Sequence, residues 1–273
     1  VWRGGLSGGA RRGGLRKRDG GFEHNGQGLR GVESMEQVYP RLSGLNLSYE
    51  TLEGLKKHAR FYDPPEPSGE RYNTPSLEAQ IANLADEITY YSHDLDDAVD
   101  FQILDSIQLE ENAVWKRSHD AVTKRYPELR GPDLHQLIIR EIIDVQVRDV
   151  IVASARLIAD SGVNGADDVR RQPAPLIRYS EDLLEANGAL RRFLYKNVYY
   201  HPRVAEVNLK ASEMLRSVFE AYALAPNLLG DTAAKRIETE GLHRTVCDYV
   251  AGMTDRYLLE EHARVQNGVM DLR

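Results

Sequence analysis

Cysteine is almost missing from this 273-residue chain: Cys247 stands alone, so no internal disulfide can form. That fits a reducing, cytoplasmic compartment. Long apolar runs are missing too. None approaches the roughly 18 residues of a membrane span, and the N-terminus lacks the apolar stretch of a secretory signal. No run alternates apolar and polar residues with period two, so the pattern offers no sheet and reads as all-α. An excess of positive charge is also lacking. The net charge of −7 argues against a general nucleic-acid binder. Finally, the first nineteen residues hold no histidine.

What is present centres on 77–97, LEAQIANLADEITYYSHDLDD, which has neither Gly nor Pro. Leu77, Ile81, Leu84, Ile88 and Leu95 form an apolar stripe. At about 100° per residue, Asp86, Tyr90, His93 and Asp97 fall within roughly 60° of one another, with Asp94 at the edge of that face. Charged groups are seldom buried without a partner. The line of carboxylate, phenol and imidazole is therefore either a solvated face or a site for a metal, a sugar, or both. The doublets His93-Asp94 and His119-Asp120 are weak metal signals by themselves, because ligands must converge from several elements.

Along the chain, residues 1–19 form a Gly/Arg-rich leader with little to bury and are expected to be disordered. Such a basic arm is compatible with contact to single-stranded DNA. Residues 21–38 read as a turn and a helix weakened by Gly28 and Gly31. Ser48 is placed to cap a helix to about His58. Residues 62–73 are a Pro-rich loop, and Thr74-Pro75 read as the N-cap and N1 pair of the central helix. Helical stretches are then expected at 101–104, 107–110, 111–125, 134–160, 181–200, 202–224, 232–238 and 241–262, with 162–175 and 226–230 as connections. The expected core includes Ile81, Leu84, Ile88, Leu137, Ile142, Val250 and Leu258.

Several stretches together resemble the deoxynucleoside triphosphate triphosphohydrolases, the dGTPase-like branch of the HD-domain superfamily. They are GGFEHNGQGLR at 20–30, YPRLSGLNLSYETLEGLKKH at 39–58, the central 77–97, LRRFLYKNVYYHPRV at 190–204 and VCDYVAGMTDRYLLEEH at 246–262. The resemblance runs from about Gly20 to His262. It implies an all-α, HD-domain-like helical bundle extended by C-terminal helices, occupying 20–273, and a homo-oligomer. It implies cleavage of a deoxynucleoside triphosphate into deoxynucleoside and triphosphate with a divalent metal, Mg or Mn. By position, Asp86 corresponds to the distant Asp of the metal site. Tyr90 and Asp94 correspond to groups facing the deoxyribose and its 3′-hydroxyl. His24 lies on the phosphate side as a catalytic group, Arg191 reaches the triphosphate, and Tyr199 stands near sugar or base. Those roles suit the chemistry, since a triphosphate needs fixed cations and donors.

One departure is large. The resemblance implies a His and a His-Asp doublet upstream of the FEHN motif, where this chain has VWRGGLSGGARRGGLRKRD. Three of four metal ligands have no counterpart. Residues 1–19 therefore read as a truncated and frame-shifted leader, and the chain is expected to be inactive by itself. The alternative is a non-catalytic nucleotide-binding or oligomerising subunit.

Overall fold

The computed structural model describes residues 24–58 and 72–268. Among them every regular element is helical. The extended pairings are two isolated bridges, Gln37 with Gly44 and Tyr39 with Leu42. The fold is all-α, as the missing period-two pattern requires. The leader at 1–19 and most of the loop at 62–73 lie outside the described residues. The chain divides into two compact units, Val1–Gly44 with Pro202–Arg273, and Leu45–His201.

The first unit opens with α1 (His24–Arg30), which runs into a π-turn at Gly31–Met35. The loop after it closes at Gly44, whose φ is +73°. A Cβ there would lie 2.4 Å from the carbonyl oxygens of Val32 and Glu33, so only glycine fits.

The second unit holds the central helix. Its elements are α2 (Tyr49–His58), α3 (Leu77–Asp100), α4 (Ser106–Glu110), α5 (Ala113–Arg125), α6 (Gly131–Ser161), α7 (Ala166–Arg170) and α8 (Glu181–Leu194), the last continuing as a π-turn at Tyr195–Tyr199. α3 buries Ile88, Leu95 and Ala98, and packs against α2, α6 and α8. Each buried aliphatic side chain of this kind contributes about 1.5–3 kcal/mol. Gln80, buried on the same helix, does the work of a strap. Its Oε1 accepts from Leu176 N at 2.8 Å and Ile177 N at 3.0 Å, and its Nε2 donates to Pro75 O at 2.8 Å. Asp149 of α6 accepts from both the amide and the hydroxyl of Ser180, at 2.8 and 2.6 Å, fixing the start of α8. The Arg170 guanidinium meets Glu53 at 2.6 Å, with both side chains buried. Removing one partner of such a pair costs about 3–5 kcal/mol, because the other charge is left buried.

The remainder of the first unit is α9 (Pro202–Leu224), a 3-10 turn at Pro226–Leu229, α10 (Asp231–Ala234), α11 (Ile237–Glu240), α12 (Leu242–Ala251) and α13 (Asp255–Gln266). Leu215, Val218, Tyr222, Val246, Val250 and Leu258 make its core. Two buried carboxylates are satisfied inside it. Asp248 accepts from Arg30 at 2.7 Å and Gln27 at 2.8 Å, and Glu261 accepts from Tyr222 at 2.6 Å and Arg264 at 2.7 Å.

The differences from the sequence reading have local causes. Ser76, not Thr74, caps α3, accepting from Ala79 N at 3.4 Å. Thr74 instead donates to Val169 O at 2.8 Å, which draws it out of the cap position. Residues 101–104 are a turn rather than a helix, since Gln102 takes a positive φ of 53° and the amides of Ile103 and Leu104 both turn back to Ala98 O. A short helix, α7, interrupts the connection at 162–175. The expected pair at 232–238 and 241–262 is four helices, broken at Lys235–Arg236, Gly241 and 252–254. Ile81, expected in the core, is 52% exposed; the apolar packing of α3 starts one turn later, with Leu84 beside Ile88, Tyr179 and Leu183. Ile88, Ile142, Val250 and Leu258 are buried, and Leu84 and Leu137 are partly so.

Candidate functional site

Asp86, Tyr90 and Asp94 follow one another at intervals of four along α3, so each is carried one turn further on the same side. Opposite them, Arg191, Tyr195 and Tyr199 also repeat every four residues. In a regular α-helix Tyr199 would be rotated about 80° from Arg191. The π-turn at Tyr195–Tyr199 bonds i to i+5, turns less per residue, and keeps the three nearer to one line.

The two rows meet at Asp94 and Tyr199. The Tyr199 hydroxyl donates a short hydrogen bond to Asp94 Oδ2. The Tyr90 ring lies 6.3 Å from Tyr199 and 5.4 Å, edge-on, from Tyr91. Tyr195 packs edge-on against Tyr199 at 4.9 Å, and the Arg191 guanidinium lies 5.8 Å from the Tyr195 ring centre. A hollow of about 570 Å³ opens beside this row, lined by Gly188, Arg191, Arg192, Tyr195, Lys196 and Tyr200. Its cations all come from α8 and the π-turn, so its electrostatic character is basic.

Protonation follows from the surroundings. Burial holds the Asp94 carboxyl above the usual carboxylate range, and the Tyr199 hydrogen bond opposes that shift. Burial, reinforced by Asp94, holds the Tyr199 and Tyr90 phenols above the usual tyrosine range. Both phenols are therefore neutral donors at physiological pH. The nearby charges of Tyr91, then the Tyr195 hydrogen bond, raise the Arg191 guanidinium, which stays cationic.

The structure thus joins Tyr90, Asp94 and Tyr199 directly, and Arg191 through Tyr195. Asp86 is exposed and interacts electrostatically with Tyr90. The electrostatic neighbours of Arg191 include Tyr195 and, on α3, Tyr91 and Glu87, which stand one position along from Tyr90 and Asp86. His24 begins α1 in the other unit, and its side chain lies outside the described residues. Sequence reasoning missed Tyr195, Arg192 and Lys196. The four-residue spacing of Arg191, Tyr195 and Tyr199 was the available signal for the first.

Asp86 belongs to no group of three metal-ligating side chains among the described residues. One carboxylate does not hold a divalent ion, so these residues do not fit the metal centre that the resemblance implies. The group that does converge is Asp96, Asp100 and His135, on another flank of α3. Among the described residues no helix is long and apolar enough to cross a membrane.

Residues 177–264 match the family model of a phosphohydrolase-associated domain. Over 250 residues the chain is 39% identical to a deoxyguanosinetriphosphate triphosphohydrolase-like protein of Geobacter metallireducens, covering 90% of this chain and 65% of that one. A protein of the same name from Bordetella pertussis is 39% identical over 251 residues, with coverage of 90% and 65%. One from Nitrosomonas europaea is 37% identical over 254 residues, with coverage of 90% and 67%. The chain spans about two thirds of the length of these curated relatives.

Proposed function

The chain belongs to the deoxyguanosinetriphosphate triphosphohydrolase-like family, and from that premise we propose that it supplies the nucleotide-holding part of a deoxynucleoside triphosphate triphosphohydrolase. The observation that carries this reading is the hydrogen bond from Tyr199 to Asp94 beside Tyr90, next to a wall of Arg191, Arg192 and Lys196. Asp94 accepts from a sugar 3′-hydroxyl, and the neutral Tyr90 phenol packs against the ring and donates to it. The cations of α8 and its π-turn hold the triphosphate, whose charge needs fixed donors that do not have to reorganise. His24 stands on the phosphate side. In the whole protein, hydrolysis places the water oxygen on the α-phosphorus and breaks its bond to the 5′ oxygen, releasing deoxynucleoside and triphosphate. A divalent ion, Mg or Mn, would supply hydroxide at neutral pH where a complete ligand set held it. Asp86 would offer that ion one ligand, and the others would come from a His and His-Asp pattern that residues 1–19 do not contain. The assembly is a homo-oligomer.

A second reading has its own support. Because Asp86 joins no metal group among the described residues, residues 1–273 alone bind nucleotide without turning it over. The experiment is triphosphate release from dGTP with Mn or Mg, comparing the chain as given with a version that carries an in-frame His…His-Asp segment ahead of Gly20. The first reading requires turnover in the longer version and none above a metal-free control in the shorter. Binding of dGTP by both, with turnover in neither, establishes the subunit reading instead.

A further inference from the structure

The residues assigned above to nucleotide binding leave another flank of α3 unused. Asp96 and Asp100 lie one turn apart on it, centred roughly 120° around the axis from Tyr90 and Asp94. His135 reaches them from the second turn of α6. One ligand atom from each of the three residues lies within 4.8 Å of the other two. The His135 Nε2 is 2.6 Å from Asp96 Oδ1, and the imidazole side chain is only 13% exposed. The Trp115 ring covers it, with centroids 5.5 Å apart. Asp100 is exposed, which leaves an entry from solvent.

The charge around this group is one-sided. Asp96, Asp97 and Asp100 fall in the last five residues of α3, and no basic residue occupies its last turn. A helix C-terminus carries the negative end of the dipole, and like charges four residues apart repel. Three carboxylates are therefore gathered where the helix itself disfavours them. Of the basic side chains on α5, Lys116 and Arg125 pair elsewhere, with Glu110 and Glu141. The group facing Asp96 is His135, which offers at most one positive charge.

We propose that Asp96, Asp100 and His135 bind a divalent transition-metal ion, with Zn²⁺ as the best fit and water completing the coordination. One imidazole nitrogen and two carboxylate oxygens are a borderline donor set, which Mg²⁺ and Ca²⁺, preferring oxygen alone, match less well. Zinc ligand bonds of about 2.0–2.2 Å set tetrahedral ligand atoms about 3.4 Å apart. Side-chain rotation closes the present span to that value, and the Asp96–His135 pair opens slightly to admit the ion. The ion ties the last turn of α3 to α6 and offsets the acidic helix end. This site is separate from the Asp86 position and does not depend on the nucleotide reading.

The test uses the untagged chain, stripped with EDTA and titrated with Zn²⁺ alone. Trp115 reports directly because it covers His135, and Trp2→Phe removes the other tryptophan. A saturable fluorescence change and a rise in Tm are expected. Both should weaken about tenfold or more in Asp100→Asn and in His135→Gln, and be unaltered in Asp86→Ala. Asp100 is exposed, so its variant keeps the fold, which circular dichroism verifies. Three results overturn the proposal: no saturable response up to about 1 mM Zn²⁺, the limit of weak specific binding; a response that survives both substitutions; or one abolished by Asp86→Ala.

Discussion

Asp94 and Asp96 stand two residues apart on α3 and live in opposite surroundings. Asp94 is half-buried, accepts from the Tyr199 phenol and has Tyr90 alongside. Asp96 pairs with an imidazole and shares its flank with Asp100. Phenols are neutral donors, so the first carboxylate keeps its charge available for a hydroxyl group. An imidazole is a metal ligand as well as a donor, so the second sits in a set that takes a cation. The helix supplies similar acids to both flanks. Which element packs against each flank, the α8 π-turn or the start of α6, decides what chemistry the acid can do.

The sharpest way to break this contrast is to exchange the consequences of two aspartates. In the version carrying an in-frame His…His-Asp segment, Asp86→Ala should reduce triphosphate release to the level of a metal-free control, whereas Asp100→Asn should leave it unchanged. Equal losses in a steady-state assay would mean that the two flanks form one functional unit. A smaller effect is expected at the basic wall. Arg191→Ala removes a charge-assisted contact of about 1.5–3 kcal/mol, so dGTP should bind roughly tenfold to a hundredfold more weakly by calorimetry. Zn²⁺ binding should be unaffected by the same change.

The smallest effect concerns the phenol flank itself. Tyr199→Phe leaves Asp94 half-buried without its donor and should lower unfolding stability in urea by about 1–2 kcal/mol. Its pH dependence sharpens the comparison. The Tyr199 phenol is held above its ordinary value, so folding favours the protonated form. The bond's contribution is complete below the unfolded value near 10 and is lost as pH climbs through the raised one. The stability gap between the native chain and Tyr199→Phe should therefore be level from about pH 7 to 10 and shrink above that. A gap that closes below pH 9 would remove the phenol from this role.

Legibility in the sequence followed the range of the interactions. The central helix was read at 77–97 and extends to Asp100, because its pattern is local. The α9 span at 202–224 was read as it stands, bounded by Pro202 and the turn at Pro226. Ser180 was recognisable as a cap from its own neighbourhood. Thr74 was misplaced because its partner, Val169, lies 95 residues away. Tyr199 came from resemblance, and its bond to Asp94 spans 105 residues that periodicity cannot relate. The pairing of Asp96 with His135 across 39 residues left no trace in spacing, since it depends on how α6 crosses α3.

The π-turn at the end of α8 has a mechanical side. A π-turn is wound more loosely than the helix it interrupts, and left alone a helix would relax to the tighter pitch. Relaxation would carry the Tyr199 hydroxyl around the axis and away from Asp94. The phenol–carboxylate bond therefore acts as a stop on a wound spring: it holds the pitch of its own helix by tying the π-turn to α3.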